Sequence, residues 1–248
     1  MSLKWSEAIV VGRRVWDEGL FTLTLDAPGV PQFEAGQFLQ LGLRDGEHHV
    51  HRPYSVASPH GPTLEFFIVL VPNGELTPRL WRLRVGDRLE VGHPAAGRFT
   101  LSRAPAAKDL WLIGTGTGVA PYVAMLRTEE PWKKYERIAL VHGVRTRGDL
   151  AYRDEFEELQ RSHPERFVYL PATSRDDPPG VSAGRVTALL SSGELEERAA
   201  MRLVPEQCAV LLCGNPAMLD DMERDLESRG LKRHRTHTPG QIVVERYW

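Results

Sequence analysis

The chain has 248 residues, 42% of them hydrophobic and 26% charged, with a formal net charge of −2. Its length exceeds the common single-domain size and predicts two domains, and the near balance of charge excludes a general nucleic-acid binder. Cys208 and Cys213, the only two cysteines, are too few for a disulfide scaffold or for the four thiolates of an ordinary iron–sulfur cluster. The opening MSLKWSEAIVV has no long apolar core after its lysine, so no secretory leader is expected. FFIVLV, the longest apolar stretch, falls far short of the roughly 20 residues that span a bilayer, so a cytoplasmic protein without membrane contact is expected.

In the first hundred residues, FTLTLDA alternates threonine with apolar residues, and QFLQLGL, HRPYSVAS, LEFFIVLV and RLEVGHP follow at close spacing between turn signals. That rhythm predicts a small antiparallel barrel. SRAPAAKD is a polar, proline-containing joint, beyond which LWLIGT, RIALVHGV, RFVYLPAT and AVLLCG are buried-strand patterns, each followed by a helical one such as DLAYRDEFEELQRS or VTALLSSGELEERAA. Such alternation predicts a doubly wound parallel sheet, with the domains divided as residues 1–102 and 103–248. NPAMLDDMERDLESRG carries its own punctuation: Asn215 as N-cap, Pro216 at the first helical position, and Arg229 with Gly230 at the end. Ligands of an open α/β sheet gather beyond the carboxyl ends of its strands, so Cys213, Gly214 and Asn215 are expected to face a cleft.

Several stretches carry chemistry. GTGTGVAP, residues 114–121, sits between a strand and the helical YVAMLRTEE; it reads as a dinucleotide turn or as a tight strand-to-helix turn without a ligand, Val119 standing where a third glycine would be. VHGVRTR ends on Arg145 and Arg147, where an NAD-selective site normally carries an acid. Ser174, Arg175 and Arg185 follow in TSR and SAGRV, and guanidinium forks suit a 2′-phosphate. In HRPYS, Arg52 and Tyr54 share a face of an ideal strand while Ser55 takes the other, so one ligand meets all three only if the strand twists or ends near Pro53 and Tyr54. An arginine beside a tyrosine suits an aromatic, phosphorylated cofactor, or simply stacks at a sheet surface. NGELTPRL offers a second phosphate cradle or a plain turn before a helix, and the terminal VVERYW ends on two aromatics that would dock rather than stay in water.

Taken in order, RPYS, NGELTPRL, GTGTGVAP, VHGVR, TSR, CGNPAM and terminal ERYW closely resemble the bacterial ferredoxin/flavodoxin–NADP+ reductases, across nearly the whole chain and nearest to the enterobacterial type. The resemblance implies a six-stranded antiparallel FAD-binding β-barrel, then an NADP(H)-binding α/β domain whose C-terminal tail returns to the flavin. It assigns FAD to Arg52, Pro53, Tyr54, Ser55, Val69, Gly74, Leu76, Thr77, Thr117, Tyr247 and Trp248. Arg52 would bind the pyrophosphate, Tyr54 stack on the isoalloxazine, Ser55 bond near flavin N5, Tyr247 cover the other face and Trp248 stack on the adenine. NADP falls to Gly114, Thr115, Gly116, Arg145, Ser174, Arg175, Arg185, Gly214, Asn215 and Met218, with Cys213 beside the nicotinamide and Glu245 tied to proton or electron transfer. Ferredoxin or flavodoxin would be the carrier, docking on basic groups such as Arg79, Arg82, Arg84 and the KRHR run, with the chain a monomer. An NAD(P)H:flavin reductase, an oxygenase reductase component and a nucleotide-binding regulatory module are the competing readings.

Overall fold

A computed structural model describes residues 3–246. The chain divides into two compact units, the first reaching Leu101 and taking in Ala120–Thr128, the second holding Ser102–Val119 and the chain from Glu129 onward.

The first unit is an antiparallel six-stranded sheet of β1 (Lys4–Asp17), β2 (Leu20–Asp26), β3 (Phe38–Asp45), β4 (His48–Ser55), β5 (Thr63–Val69) and β6 (Arg88–Ala96), in the order β4-β3-β6-β1-β2-β5. A bridge from Val56 to Phe66 brings the two edges together, closing the sheet into the expected barrel. β1 escapes the alternation rule. Most of its 14 residues are partly or fully exposed, and its register shifts at Val10/Gly12 and Val15/Asp17 let one long strand pair first with β6 and then with β2. Phe21, Leu23, Leu25, Leu39, Leu41, Phe66 and Val91 are sealed from solvent inside, each worth about 1.5–3 kcal/mol of burial. The helix α1 (Thr77–Arg82) follows β5, and Leu80 anchors it in this core. The helix α2 (Ala120–Leu126), from later in the chain, also counts with this unit; after it Arg127 binds the Ala57 carbonyl at 3.3 Å and Glu65 at 2.9 Å.

The second unit is a wholly parallel six-stranded sheet of β7 (Asp109–Thr115), β8 (Arg137–Val144), β9 (Phe167–Thr173), β10 (Ser182–Ala183), β11 (Cys208–Gly214) and β12 (Ile242–Arg246), in the order β10-β9-β8-β7-β11-β12. From β7 the chain works outward through β8, β9 and β10, then returns to add β11 and β12 on the other side. The reversal between β7 and β11 is the doubly wound switch point. Continuous apolar runs in β7, β8 and β11 are buried on both faces, as parallel strands require. The helices are α3 (Glu130–Lys134), α4 (Arg153–Ser162), α5 (Val186–Ser191), α6 (Glu194–Ala199) and α7 (Pro216–Ser228). VTALLSSGELEERAA, expected as one helical stretch, is two helices, because Gly193 at φ 82° breaks it and starts α6. On α7, Asn215 caps as expected, its Oδ1 accepting from the amides of Ala217 at 2.9 Å and Met218 at 3.3 Å. Among the described residues no helix is long and apolar enough to cross a membrane, and both cysteines are buried and outside any disulfide.

Candidate functional site

In the first unit the candidate residues converge on the end of β4 and the start of α1. β4 pairs with β3 in unbroken register, Leu41 opposite Arg52, Gln40 opposite Pro53, Leu39 opposite Tyr54 and Phe38 opposite Ser55. The ladder therefore passes through Pro53, which as an edge-strand residue lacks only a donor that no strand needs. The strand changes partner just beyond: the Val56 amide donates to Gln37 O at 3.1 Å while Val56 bridges to Phe66 on β5. Tyr54 and Ser55 are thus the last residues of β4, and the ladder runs straight through Pro53, so the strand ends just after them rather than at Pro53. Tyr54 is half-buried against the barrel core, and burial pushes its hydroxyl up to about 12 against the opposing charge of Arg52. Ser55 is buried, Arg52 is exposed, and Val69 closes β5 at 40% exposure.

Gly74, Leu76 and Thr77 form the loop into α1, with Leu76 buried at its N-cap. Thr77 Oγ1 accepts from the Val71 amide at 2.9 Å and donates to the Val71 carbonyl at 3.2 Å, so this hydroxyl closes the loop. Arg52 offers its guanidinium from β4 beside that loop and already holds the carboxylate of Glu75 at 3.0 Å. An exposed fork binding an anion beside a half-buried aromatic ring fits a ligand that is phosphorylated at one end and flat at the other.

In the second unit the candidates line the carboxyl edge of the sheet. The turn Gly116–Val119 joins β7 to α2 as one 3-10 turn, placing Gly114, Thr115, Gly116 and Thr117 at the switch point. It is pressed against the exit of β11: a Cβ on Gly118 would lie 2.5 Å from the Cys213 carbonyl oxygen, and one on Gly214, at φ +139°, 2.2 Å from Thr115 Oγ1. Only glycine allows that approach at either position. Thr115 Oγ1 accepts from the Asn215 amide at 3.0 Å, locking turn and helix start together, and Met218 is buried in the first turn of α7. A Cβ on Gly116 would meet nothing within 4 Å, so the turn keeps an open backbone face, as a close-approaching diphosphate requires.

The arginines arrive from neighbouring strand exits. Beyond the last β8–β9 pair, Ser174 N donates to Val144 O at 3.1 Å and Arg175 N to Arg145 O at 2.9 Å, carrying the zipper into the loops. β10 lies against the other side of β9, with Gly184 N donating to Thr173 O at 2.7 Å just before Arg185. Arg145, Ser174, Arg175 and Arg185 are all exposed, and no ion pair ties the three guanidiniums to a carboxylate among the described residues. Ser174 Oγ donates to Val144 O at 3.3 Å. Three unneutralised arginines beside an open glycine turn fit a nucleotide carrying an extra phosphate.

The catalytic candidate pair lies within the second unit, on β11 and β12. Cys213 sits on β11 with Gly114 as its neighbour on β7 and Glu245 as its neighbour on β12, and burial pushes the Glu245 carboxyl up to about 7. Tyr247 and Trp248 lie outside the described residues. Two features had no signal in sequence. Arg246, at the end of β12, binds Asp220 and Glu223 at 2.7 Å each, and Glu223 also holds Arg233 at 3.1 Å, so one arginine of the KRHR run is spent inside the fold. Glu75, within NGELTPRL, faces Arg52, and only the fold brings the two together.

The Oxidoreductase FAD-binding domain family matches residues 11–100, and the Oxidoreductase NAD-binding domain family residues 112–224. Barrel and parallel sheet are thus the two modules of a flavin- and nicotinamide-nucleotide-linked oxidoreductase. The flavodoxin/ferredoxin–NADP reductase of Escherichia coli (strain K12) is 38% identical over 246 residues, covering 98% of this chain and 99% of its own. The ferredoxin–NADP reductase of Pseudomonas aeruginosa is 36% identical over 242 residues, 93% of each chain. Among solved structures, a ferredoxin NADP+ reductase from Neisseria gonorrhoeae with bound FAD and NADP superposes with a TM-score of 0.92 at 31% identity, over 98% of each chain. The chain belongs to the flavodoxin/ferredoxin–NADP reductase family.

Proposed function

We propose that the protein is an FAD-containing oxidoreductase that moves electrons between NADP(H) and ferredoxin or flavodoxin, working as a cytoplasmic monomer. Residues 1–102 would form the FAD domain and residues 103–248 the NADP(H) domain, with the C-terminal tail returning to the flavin. The observation that carries the nucleotide choice is the set of unneutralised guanidiniums of Arg145, Arg175 and Arg185 beside the switch-point turn. Bound FAD and NADP(H) supply the redox chemistry, hydride on the nicotinamide side and single electrons on the carrier side.

The chain's own residues bind and orient. Arg52 and the Gly74–Thr77 loop would hold the FAD diphosphate, Tyr54 would offer its flat ring to the flavin and Ser55 its hydroxyl, and Pro53, Val69 and Thr117 would complete the contact. Gly114, Thr115 and Gly116 would accept the nicotinamide dinucleotide, Arg175, Arg185 and Ser174 would bind its 2′-phosphate, and Gly214, Asn215 and Met218 would complete the site. Cys213 would stand beside the nicotinamide, and Glu245, with its carboxyl raised to about 7, can hold a proton near neutrality. Tyr247 and Trp248 take the roles that the family resemblance implies. The carrier docks on basic groups beside the flavin, with Arg82 and Arg84 exposed and Arg79 only 3.5 Å from Asp45.

The test is optical. The purified protein is expected to be yellow with one FAD, and anaerobic NADPH to bleach it; a colourless protein that no added FAD reconstitutes contradicts the reading and leaves a nucleotide-binding regulatory module in its place.

A further inference from the structure

Arg52 is not waiting with an empty fork. Its Nη2 lies 3.0 Å from Glu75 Oε2, and its Nη1 donates to the His51 carbonyl at 2.7 Å. The other Glu75 oxygen stands 3.7 Å from His48 Nε2, and Arg79 stands 3.5 Å from Asp45. The β3–β4 hairpin is therefore joined to the segment entering α1 and to α1 itself by two ion pairs, Arg52–Glu75 and Arg79–Asp45. Arg52 and Glu75 side chains are 56% and 57% exposed, so this pair is a weak one that a stronger anion can displace.

We infer that Glu75 is an internal competitor for the FAD diphosphate, occupying the Arg52 fork until the cofactor arrives. The inference rests on the FAD reading above. A guanidinium presents its donors in a fixed plane, and with Nη1 committed to the His51 carbonyl, the Nη2 side that Glu75 takes is one that a phosphate also needs. The two acids cannot share it, since a carboxylate left beside a diphosphate repels it. The device lowers FAD affinity by the strength of one exposed ion pair, about two- to fivefold.

The experiment removes FAD from the full-length protein and follows rebinding by the quenching of free FAD fluorescence. Glu75→Gln, which keeps shape and removes charge, is expected to bind FAD about two- to fivefold more tightly at low ionic strength, with the gain fading as salt rises. Arg52→Met is expected to weaken binding, and Glu75→Gln to add nothing in that background. Unchanged or weaker binding in Glu75→Gln, with Arg52→Met weakened as expected, overturns the competitor role. If Arg52→Met leaves FAD affinity intact, the placement of FAD at this strand is itself wrong.

Discussion

His142 makes the stability of this protein depend on pH in a calculable way. It is fully buried on β8, with Nδ1 3.2 Å from the Tyr169 hydroxyl, Nε2 without a partner and the Phe156 ring packed edge-on at 6.0 Å. Burial penalises the charged ring and lowers its pKa from 6.5 to about 3. Because the folded value is depressed, the unfolded chain binds the proton first. Stability is therefore unaffected above pH 6.5 and falls as pH drops from there towards 3, at about 1.4 kcal/mol per pH unit. From pH 7.5 to pH 5.0 the loss from this one group is about 2 kcal/mol. His142→Phe removes the titration; it costs some stability at every pH, because the Tyr169 hydroxyl loses its partner, but that cost does not vary with pH. Urea unfolding of parent and variant, both in the same cofactor state, gives the two pH curves. The gap between them should close, or reverse in sign, by about 2 kcal/mol across this range. Curves that stay parallel would refute the claim that His142 is held neutral.

Three further outcomes follow from the site. Glu245→Gln should erase a limb of the pH–rate profile centred near 7, where burial places the parent carboxyl; a limb that survives the substitution assigns it to another group. Gly118→Ala should cost about 1–3 kcal/mol in thermal unfolding and weaken NADP+ binding, because its Cβ would press on the Cys213 carbonyl. A variant as stable as the parent would mean that turn and β11 are not packed so closely. Replacing Arg79 and Arg82 with glutamate should slow reduction of an acidic carrier and flatten its dependence on salt; an unaltered salt dependence removes them from the docking surface.

How much of this was legible in sequence depended on whether the signal was local. The parallel strands declare themselves as apolar runs, and α7 by Asn215, Pro216 and Gly230, because burial on both faces and capping leave marks on adjacent residues. β1 does not: its long run is largely exposed and its partner changes midway, so no period survives to be read. Arg52 and Tyr54 could be singled out, yet the partner switch at Val56 that ends the strand beside them comes from β5, in another part of the chain. The pairing of Glu75 with Arg52, the capture of the Thr77 hydroxyl by Val71 and the loss of Arg233 to Glu223 are tertiary events that motif spacing does not encode. Tyr247 and Trp248 lie outside the described residues, and their roles stand on family resemblance.

The central claim is that this is an NADP(H)-selective flavoprotein whose selectivity resides in the arginines at the exits of β8, β9 and β10. Its most direct test is anaerobic reduction of the bound flavin by NADPH and by NADH, in the parent and in an Arg175→Ala/Arg185→Ala variant. Each charge-assisted contact to a phosphate is worth about 1.5–3 kcal/mol, so the variant should lose tenfold or more in apparent NADPH affinity while NADH is little affected. If the parent uses both nucleotides equally well, or the variant keeps its preference for NADPH, the arginine pocket is not where the nucleotide is chosen.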